Sequence, residues 1–375
     1  MISCDLAPAY VRAIAPYPPG KPISELAREM GLNEADIVKL ASNENPLGVS
    51  PRARAAIAGA LDELALYPDG NGYELKAAIA AKLGVEMAGI VLGNGSNDVL
   101  ELVARAFLSP GTSAVYSQHA FAVYPLVTQA TGAVGIETPA QAFGHDLDAM
   151  RAAIRDDTRV LFIANPNNPT GTLLAADALH AFLRNVPQRV VVVLDEAYGE
   201  FLNVDLQAPS VAWLAEFPNL VLTRTFSKAY GLAGLRVGYA LAHPDVAGML
   251  NRVRQPFNVN SLALLGATAA LNDAEFLAES KRVNDAGMAQ LLQGCQTLGL
   301  AHIPSYGNFV CIQVATPSRP AAAVYQALLR RGVIVRPVGN YGMPEHLRVS
   351  IGLPHQNERF LTALAEILNE SPVSA

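Results

Sequence analysis

A lysine placed among hydroxyls, glycines and an arginine is the arrangement in this sequence best suited to chemistry. It is Lys228, within VLTRTFSKAYGLAGLRVGYA (residues 221–240). A lysine that attacks an aldehyde must be neutral, and an amine on a flexible stem in a mostly uncharged loop can be neutral near physiological pH. Thr225 and Ser227 offer hydroxyl donors just before it. Arg236, eight residues on, offers a planar cationic fork suited to holding a phosphate dianion at two points. Gly231, Gly234 and Gly238 let the backbone come close to a ligand. A Ser-Lys pair alone is an ordinary surface feature, and only its company makes Lys228 a candidate nucleophile.

That company stands at the ends of other apolar runs. Asp195 follows the run 190–194, with Tyr198 three residues later, and Asn168 lies in NPNNPTG (165–171) after the run 160–164. Singly these are a loop carboxylate and a turn amide. Together with Lys228 they fit one cofactor, pyridoxal phosphate. Its pyridine nitrogen must stay protonated if the ring is to draw electrons from a carbanion, and a carboxylate such as Asp195 beside it favours that charged form. Asn168 and Tyr198 can both donate to the ring oxygen, and Phe121 can stack on the ring face. In GNGSND (93–98) a short strand runs through glycines into a helix N-terminus, a cradle for an anion that has neither the lysine of a P-loop nor the G-x-G-x-x-G of a dinucleotide site.

The elements that must position these residues alternate. Short apolar strands at 90–92, 114–116, 134–137, 160–164, 190–194 and 220–222 are separated by helical patterns. This predicts a three-layer α/β/α arrangement around a mostly parallel sheet. Ligands of such sheets collect beyond the carboxyl ends of the strands, where Gly95, Asn168, Asp195 and Lys228 all lie. From residue 257 the pattern changes. A long helical stretch over 262–294, strands at 309–314, 333–337 and 347–351, and helices at 321–331 and 356–369 predict a smaller α+β domain. The expected division is an N-terminal arm joining the small domain (1–40), a large cofactor-binding domain (41–265) and a small C-terminal domain (266–375). The prolines of YPPGKP (17–22) keep the arm out of any sheet interior, and arms of this sort often cross to another subunit.

Composition narrows the classes of partner. With 51% hydrophobic and 16% charged residues the chain is globular, and a net charge of −6 without a basic stripe argues against nucleic acid or an anionic membrane surface. Small molecules are the expected partners. Cys4, Cys295 and Cys311 are far apart with no Cys-x-x-Cys pair, which points to a reducing cytoplasm and away from disulfides or thiolate zinc. The seven histidines form no His-x-x-x-His pair, so no metal is expected. No signal sequence or spanning segment stands out.

Taken in order, the Asn-Pro-Thr-Gly end of NPNNPTG, the Asp195-x-x-Tyr198 pair and the Lys228-to-Arg236 spacing resemble the fold type I, aspartate-aminotransferase-like pyridoxal phosphate enzymes. Within them the chain is similar to the histidinol-phosphate aminotransferase family through YPPGKP, SNENPLG (42–48), LYPDG (66–70), GNGSND and SKAYGLAGLRVGY (227–239). The resemblance implies Lys228 as Schiff-base lysine and proton carrier, Asp195 on the pyridine nitrogen, and Asn168 and Tyr198 on the ring oxygen. It implies Ser96, Asn97, Thr225, Ser227 and Arg236 on the cofactor phosphate. It further implies a homodimer with shared sites, Tyr67 reaching the cofactor phosphate of the other subunit, with Tyr17, Asn43, Arg336 and Arg348 on the substrate side. Phe121 departs from the tyrosine of many members, which keeps stacking and loses a hydroxyl contact. The implied activity is ping-pong transfer from L-histidinol phosphate to 2-oxoglutarate in histidine biosynthesis. The alternatives are an aromatic amino-acid aminotransferase and a threonine-phosphate decarboxylase-like enzyme. A transcriptional-regulator module of the same fold needs a helix-turn-helix extension, for which the proline-rich first forty residues offer no basic helix.

Overall fold

Successive residues of an extended strand point to opposite faces, so a strand that is apolar throughout has to be covered twice. The computed structural model of the protein, which describes residues 3–370, meets that demand with one sheet between two helical layers. Its seven strands are Ile90–Gly93 (β1), Ser113–Ser117 (β2), Val134–Thr138 (β3), Thr158–Ala164 (β4), Val191–Asp195 (β5), Leu220–Thr225 (β6) and Gly238–Ala242 (β7). They lie in the order β1-β7-β6-β5-β4-β2-β3, and β7 runs against the rest. Leu161, Ile163, Val192 and Leu194 join one buried cluster, while Val160, Phe162, Val191 and Val193 join another on the opposite face. Helix α1 (Ser96–Phe107) brings Val99, Leu100 and Val103 to the second cluster, and α2 (Ser261–Leu271) brings Ala263, Ala267 and Ala270 to the first. Burying each larger side chain of this kind stabilises by roughly 1.5–3 kcal/mol, which holds the strand ends in fixed register.

A second, antiparallel sheet contains His302–Ile303 (β8), Phe309–Gln313 (β9), Arg336–Pro337 (β10) and His346–Ser350 (β11), in the order β8-β9-β11-β10. Val324, Leu328, Phe360 and Leu364 from two helices pack on it in a core of their own. The chain start is attached there too. Leu26 and Ala27 of the helix Ile23–Met30 pack with Leu329 and Ile334, and Val38–Lys39 pairs in parallel with Val333–Ile334.

Three elements differ from expectation. The helical stretch over 262–294 is broken at Asn272 and Asp273, where the Asp273 carboxylate accepts the Phe276 N–H at 3.3 Å and starts α3 (Ala274–Leu298). Residue 265 falls inside α2, whose Gly266 lies close against Ile57 of the helix Pro51–Ala58. The strand at 333–337 is two, because Val335 separates a pair made with the arm from one made with β11. The sequence over 51–64 also predicts a single helix, but the helix stops at Ala58 and is followed by Gly59 and a single turn of 3-10 helix. Among the described residues no helix is long and apolar enough to cross a membrane.

Candidate active site

The carboxyl ends of β1, β4, β5 and β6 face the β10–β11 edge of the second sheet across a cavity of about 270 Å³. Every candidate side chain read from the sequence lines this cavity except Tyr67. Tyr67 is 84% exposed and stacks on Phe257 outside the cleft, with ring centroids 4.9 Å apart.

Lys228 enters from the loop after β6. Its Nζ donates to the Ser42 carbonyl at 3.1 Å and lies 5.9 Å from the centre of the Tyr198 ring. Burial, assisted by the nearby Arg348 charge, lowers its pKa to about 8, with Glu44 opposing. Across the floor of the cleft Asp195 accepts the Tyr124 hydroxyl at 2.9 Å and the Ala197 N–H at 3.2 Å. Burial holds its carboxyl above the usual carboxylate range, and the Tyr124 bond pulls the other way. Phe121 lies edge-on to Tyr124, 5.8 Å away.

One end of the cavity is a ring of donors. Gly95, at φ 81°, turns the chain from β1 into α1, so Ser96 and Asn97 present the free amides of a helix start. A Cβ at Gly95 would collide with the Arg236 guanidinium, which explains the glycine. Arg236 itself adopts φ 57° and donates to Ser227 Oγ at 3.2 Å. The Ser227 N–H in turn donates to Thr225 Oγ1 at 3.1 Å.

The other end carries two buried arginines. Arg348 is 7% exposed and donates to Asn168 Oδ1 at 2.6 Å and to the Ala41 carbonyl at 2.8 Å, while its Nε is buried without a partner. Since a guanidinium only donates, the Asn168 amide must present its oxygen there, leaving its NH₂ end for a ligand. Arg336 is 8% exposed and donates to Tyr17 Oη at 3.1 Å and the Pro18 carbonyl at 2.9 Å, which ties the proline-rich arm to the cleft. Asn43, at φ 53°, donates to Tyr198 Oη at 2.9 Å, so the tyrosine's own proton is free to go elsewhere. Burial pushes the Tyr198 phenol up to about 12 and keeps it a donor. Among the described residues no cluster of His, Cys, Asp and Glu is placed to hold a metal ion.

Comparison with known proteins places this geometry. Residues 35–364 match the family model for aminotransferase class I and II. The chain is 62% identical over 372 residues to histidinol-phosphate aminotransferase 2 of Nitrosospira multiformis, covering 99% of this chain and 94% of that one. It is 63% identical over 364 residues to histidinol-phosphate aminotransferase of Methylobacillus flagellatus, covering 97% and 98%. The crystal structure of histidinol-phosphate aminotransferase from Sinorhizobium meliloti in complex with pyridoxal-5'-phosphate superposes with a TM-score of 0.88 at 28% identity, over 96% of each chain. The chain belongs to the histidinol-phosphate aminotransferase family.

It is therefore a transaminase of the class I and II fold, whose members work with pyridoxal phosphate, and its cleft fits that group. The hydroxyls and guanidinium around Gly95 suit a phosphate dianion, buried Asp195 suits a pyridinium N–H, and Lys228, its pKa lowered to about 8, suits an aldehyde. A rate follows from the last. Only the neutral amine adds to an aldehyde, and its fraction falls about tenfold per pH unit below the pKa. Capture of pyridoxal phosphate by the apo aminotransferase, timed by stopped-flow absorbance, is expected to speed up about tenfold per unit up to pH about 8 and level off above it. A rate that keeps climbing to pH 10 would mean that the amine is not shifted.

Several groups around this cleft escaped the sequence. Tyr124 beside Asp195, the Ser42 and Ala41 carbonyls, and the Ser350 hydroxyl that accepts the Asn43 N–H at 2.8 Å all act here. Tyr124 had one signal, its place three residues after Phe121.

Proposed function

We propose that this aminotransferase moves the amino group of L-histidinol phosphate to 2-oxoglutarate, in the cytoplasm and in histidine biosynthesis, through two half-reactions that share one site. The single observation that carries it is a set of cations. Lys228, Arg236, Arg336 and Arg348 all line one cavity, and among the described residues no ion pair joins any of them to a carboxylate. Charge placed this way is costly until anions arrive, and it calls for two of them, a cofactor phosphate at the Arg236 end and a substrate anion at the Arg336–Arg348 end.

Each residue then has a part. Bound pyridoxal phosphate supplies a conjugated ring that accepts the electron pair released at the substrate carbon. Lys228 would take the proton from that carbon and pass it to the cofactor carbon that had carried the aldehyde, a task that needs an amine with a pKa near the working pH. Asp195 would hold the ring nitrogen and favour its protonated form. Asn168 and Tyr198 would donate to the ring oxygen. Arg336 and Arg348 hold the anion of the donor, and Tyr17, seated on Arg336 with 5.3 Å between its ring centre and the guanidinium, closes the arm over it. A single-turnover absorbance assay over a panel of amino donors tests this. Histidinol phosphate is expected to discharge the cofactor fastest, and faster turnover of phenylalanine or tyrosine would point to an aromatic aminotransferase instead.

The exposed Tyr67, absent from its own cleft, supports a homodimer in which each chain completes the other's site. Leu61, Leu64 and Leu66 beside it are also exposed. A Lys228→Ala chain and a Tyr67→Ala chain, each weak or inactive alone, are expected to regain part of the wild-type rate when mixed. One of the two sites in a hybrid has both wild-type residues. Lack of recovery despite demonstrated subunit exchange would remove the shared site.

A further inference from the structure

The segment that carries Tyr67 is tied by side chains to the turn that builds the chain's own phosphate cradle. Asp98, in the first turn of α1, accepts the Asn94 N–H at 2.8 Å and the Asn258 Nδ2 at 2.7 Å. Asn258 Nδ2 also donates to the Leu92 carbonyl at 3.1 Å, so it grips both sides of the turn leading to Gly95 and Ser96. In the other direction the Asn258 oxygen accepts from Arg254 Nη1 at 2.9 Å, and that same nitrogen donates to the Gly70 carbonyl at 3.0 Å. Next to Asn258, Phe257 adopts φ 56°, a left-handed backbone costly for a residue with a Cβ, and stacks on Tyr67. A Cβ at Gly70 would stand 3.2 Å from the Phe257 ring, so the glycine lets the two segments meet. A tyrosine with nothing to do in solvent needs no strained partner. One that must be presented at a fixed angle does.

We infer that Arg254 and Asn258 are positioning residues that link, through one hydrogen-bonded relay, a chain's own cofactor-phosphate cradle to the tyrosine it lends to a second copy of the chain. The inference rests on the shared-site reading above. Asn258 stands in the middle of the relay, so the cradle turn and the Tyr67 segment cannot shift independently. Occupancy of one site thereby stabilises the Tyr67 position that completes the other.

Three hybrid dimers test it, each with one working lysine. In the first, a wild-type chain is paired with a Lys228→Ala chain. In the second, the partner carries Lys228→Ala and Asn258→Ala. In the third, it carries Lys228→Ala and Tyr67→Phe. The working site keeps its own lysine and cradle in all three, and only the tyrosine-lending chain changes. Pyridoxal phosphate is titrated into each apo hybrid, and the absorbance of the lysine-bound cofactor reports the working site alone. Binding to the second hybrid is expected to be about 3- to 30-fold weaker than to the first, within the range of coupling between residues in one network. Equal affinity in the first and second, with weaker binding in the third, overturns the relay. Equal affinity in all three overturns the shared-site reading and the relay with it. Where the Asn258→Ala chain fails to fold or pair, Arg254→Gln takes its place with the same expectation, and light scattering verifies that each hybrid is a dimer.

Discussion

Lys228→Ala is expected to lower kcat by on the order of 10³- to 10⁵-fold, because it removes the covalent anchor and the proton carrier together. Among the described residues no second lysine lines the cleft to take over. The arrangement that would hold the cofactor is left standing. Ser96, Thr225, Ser227 and Arg236 still make the donor ring, and Asp195 is still set by Tyr124. The variant should therefore bind pyridoxal phosphate without trapping it on the protein, and borohydride followed by peptide mapping should label Lys228 in the wild type and nothing in the variant. Small primary amines added to the buffer are expected to restore part of the lost rate, since the missing group is a base and the space it vacates is within the cleft. Activity above a few per cent of wild type, or a label on another lysine, would reassign the nucleophile.

The position of these groups was legible because of how they sit on strands. Apolar runs such as 160–164 and 190–194 announce buried strands, and polar residues immediately after them land beyond the strand ends, where Asn168 and Asp195 are found. Other features depend on where distant segments meet. Tyr124 has the periodicity of an ordinary core aromatic and stacks on Phe162 like one, with centroids 4.8 Å apart. What makes it a partner of Asp195 is a strand end 71 residues away. Asn258 and Arg254 resemble any polar loop residues until the fold brings Asp98 and Gly70 to them. The break at Asn272–Asp273 was hidden for a different reason. Helical periodicity runs on through it, and an aspartate that caps a new helix has the same composition signal as one on a helix surface.

Arg336→Ala is expected to cut kcat/KM for histidinol phosphate by roughly 30-fold to several thousand-fold, the equivalent of about 2–5 kcal/mol for removing one partner of a buried charge pair. Histidinol phosphate has no α-carboxylate, so its phosphate must serve where an amino acid presents that group. A dianion is better matched by two guanidinium forks than by one. Arg348 is the more committed of the two. Its terminal nitrogens already bind Asn168 and the Ala41 carbonyl, and only its buried Nε lacks a partner. Arg336 is anchored by one nitrogen to the arm, through Tyr17 and Pro18, and keeps the rest of its fork for a ligand. Glutamate, whose α-carboxylate is a single charge that Arg348 can hold, should lose much less than histidinol phosphate when Arg336 is removed. The comparison of the two donors is thus the decisive measurement. An equal loss for both would mean that Arg336 serves the arm or the fold and does not read the phosphate, and the case for histidinol phosphate as the preferred donor would fall with it.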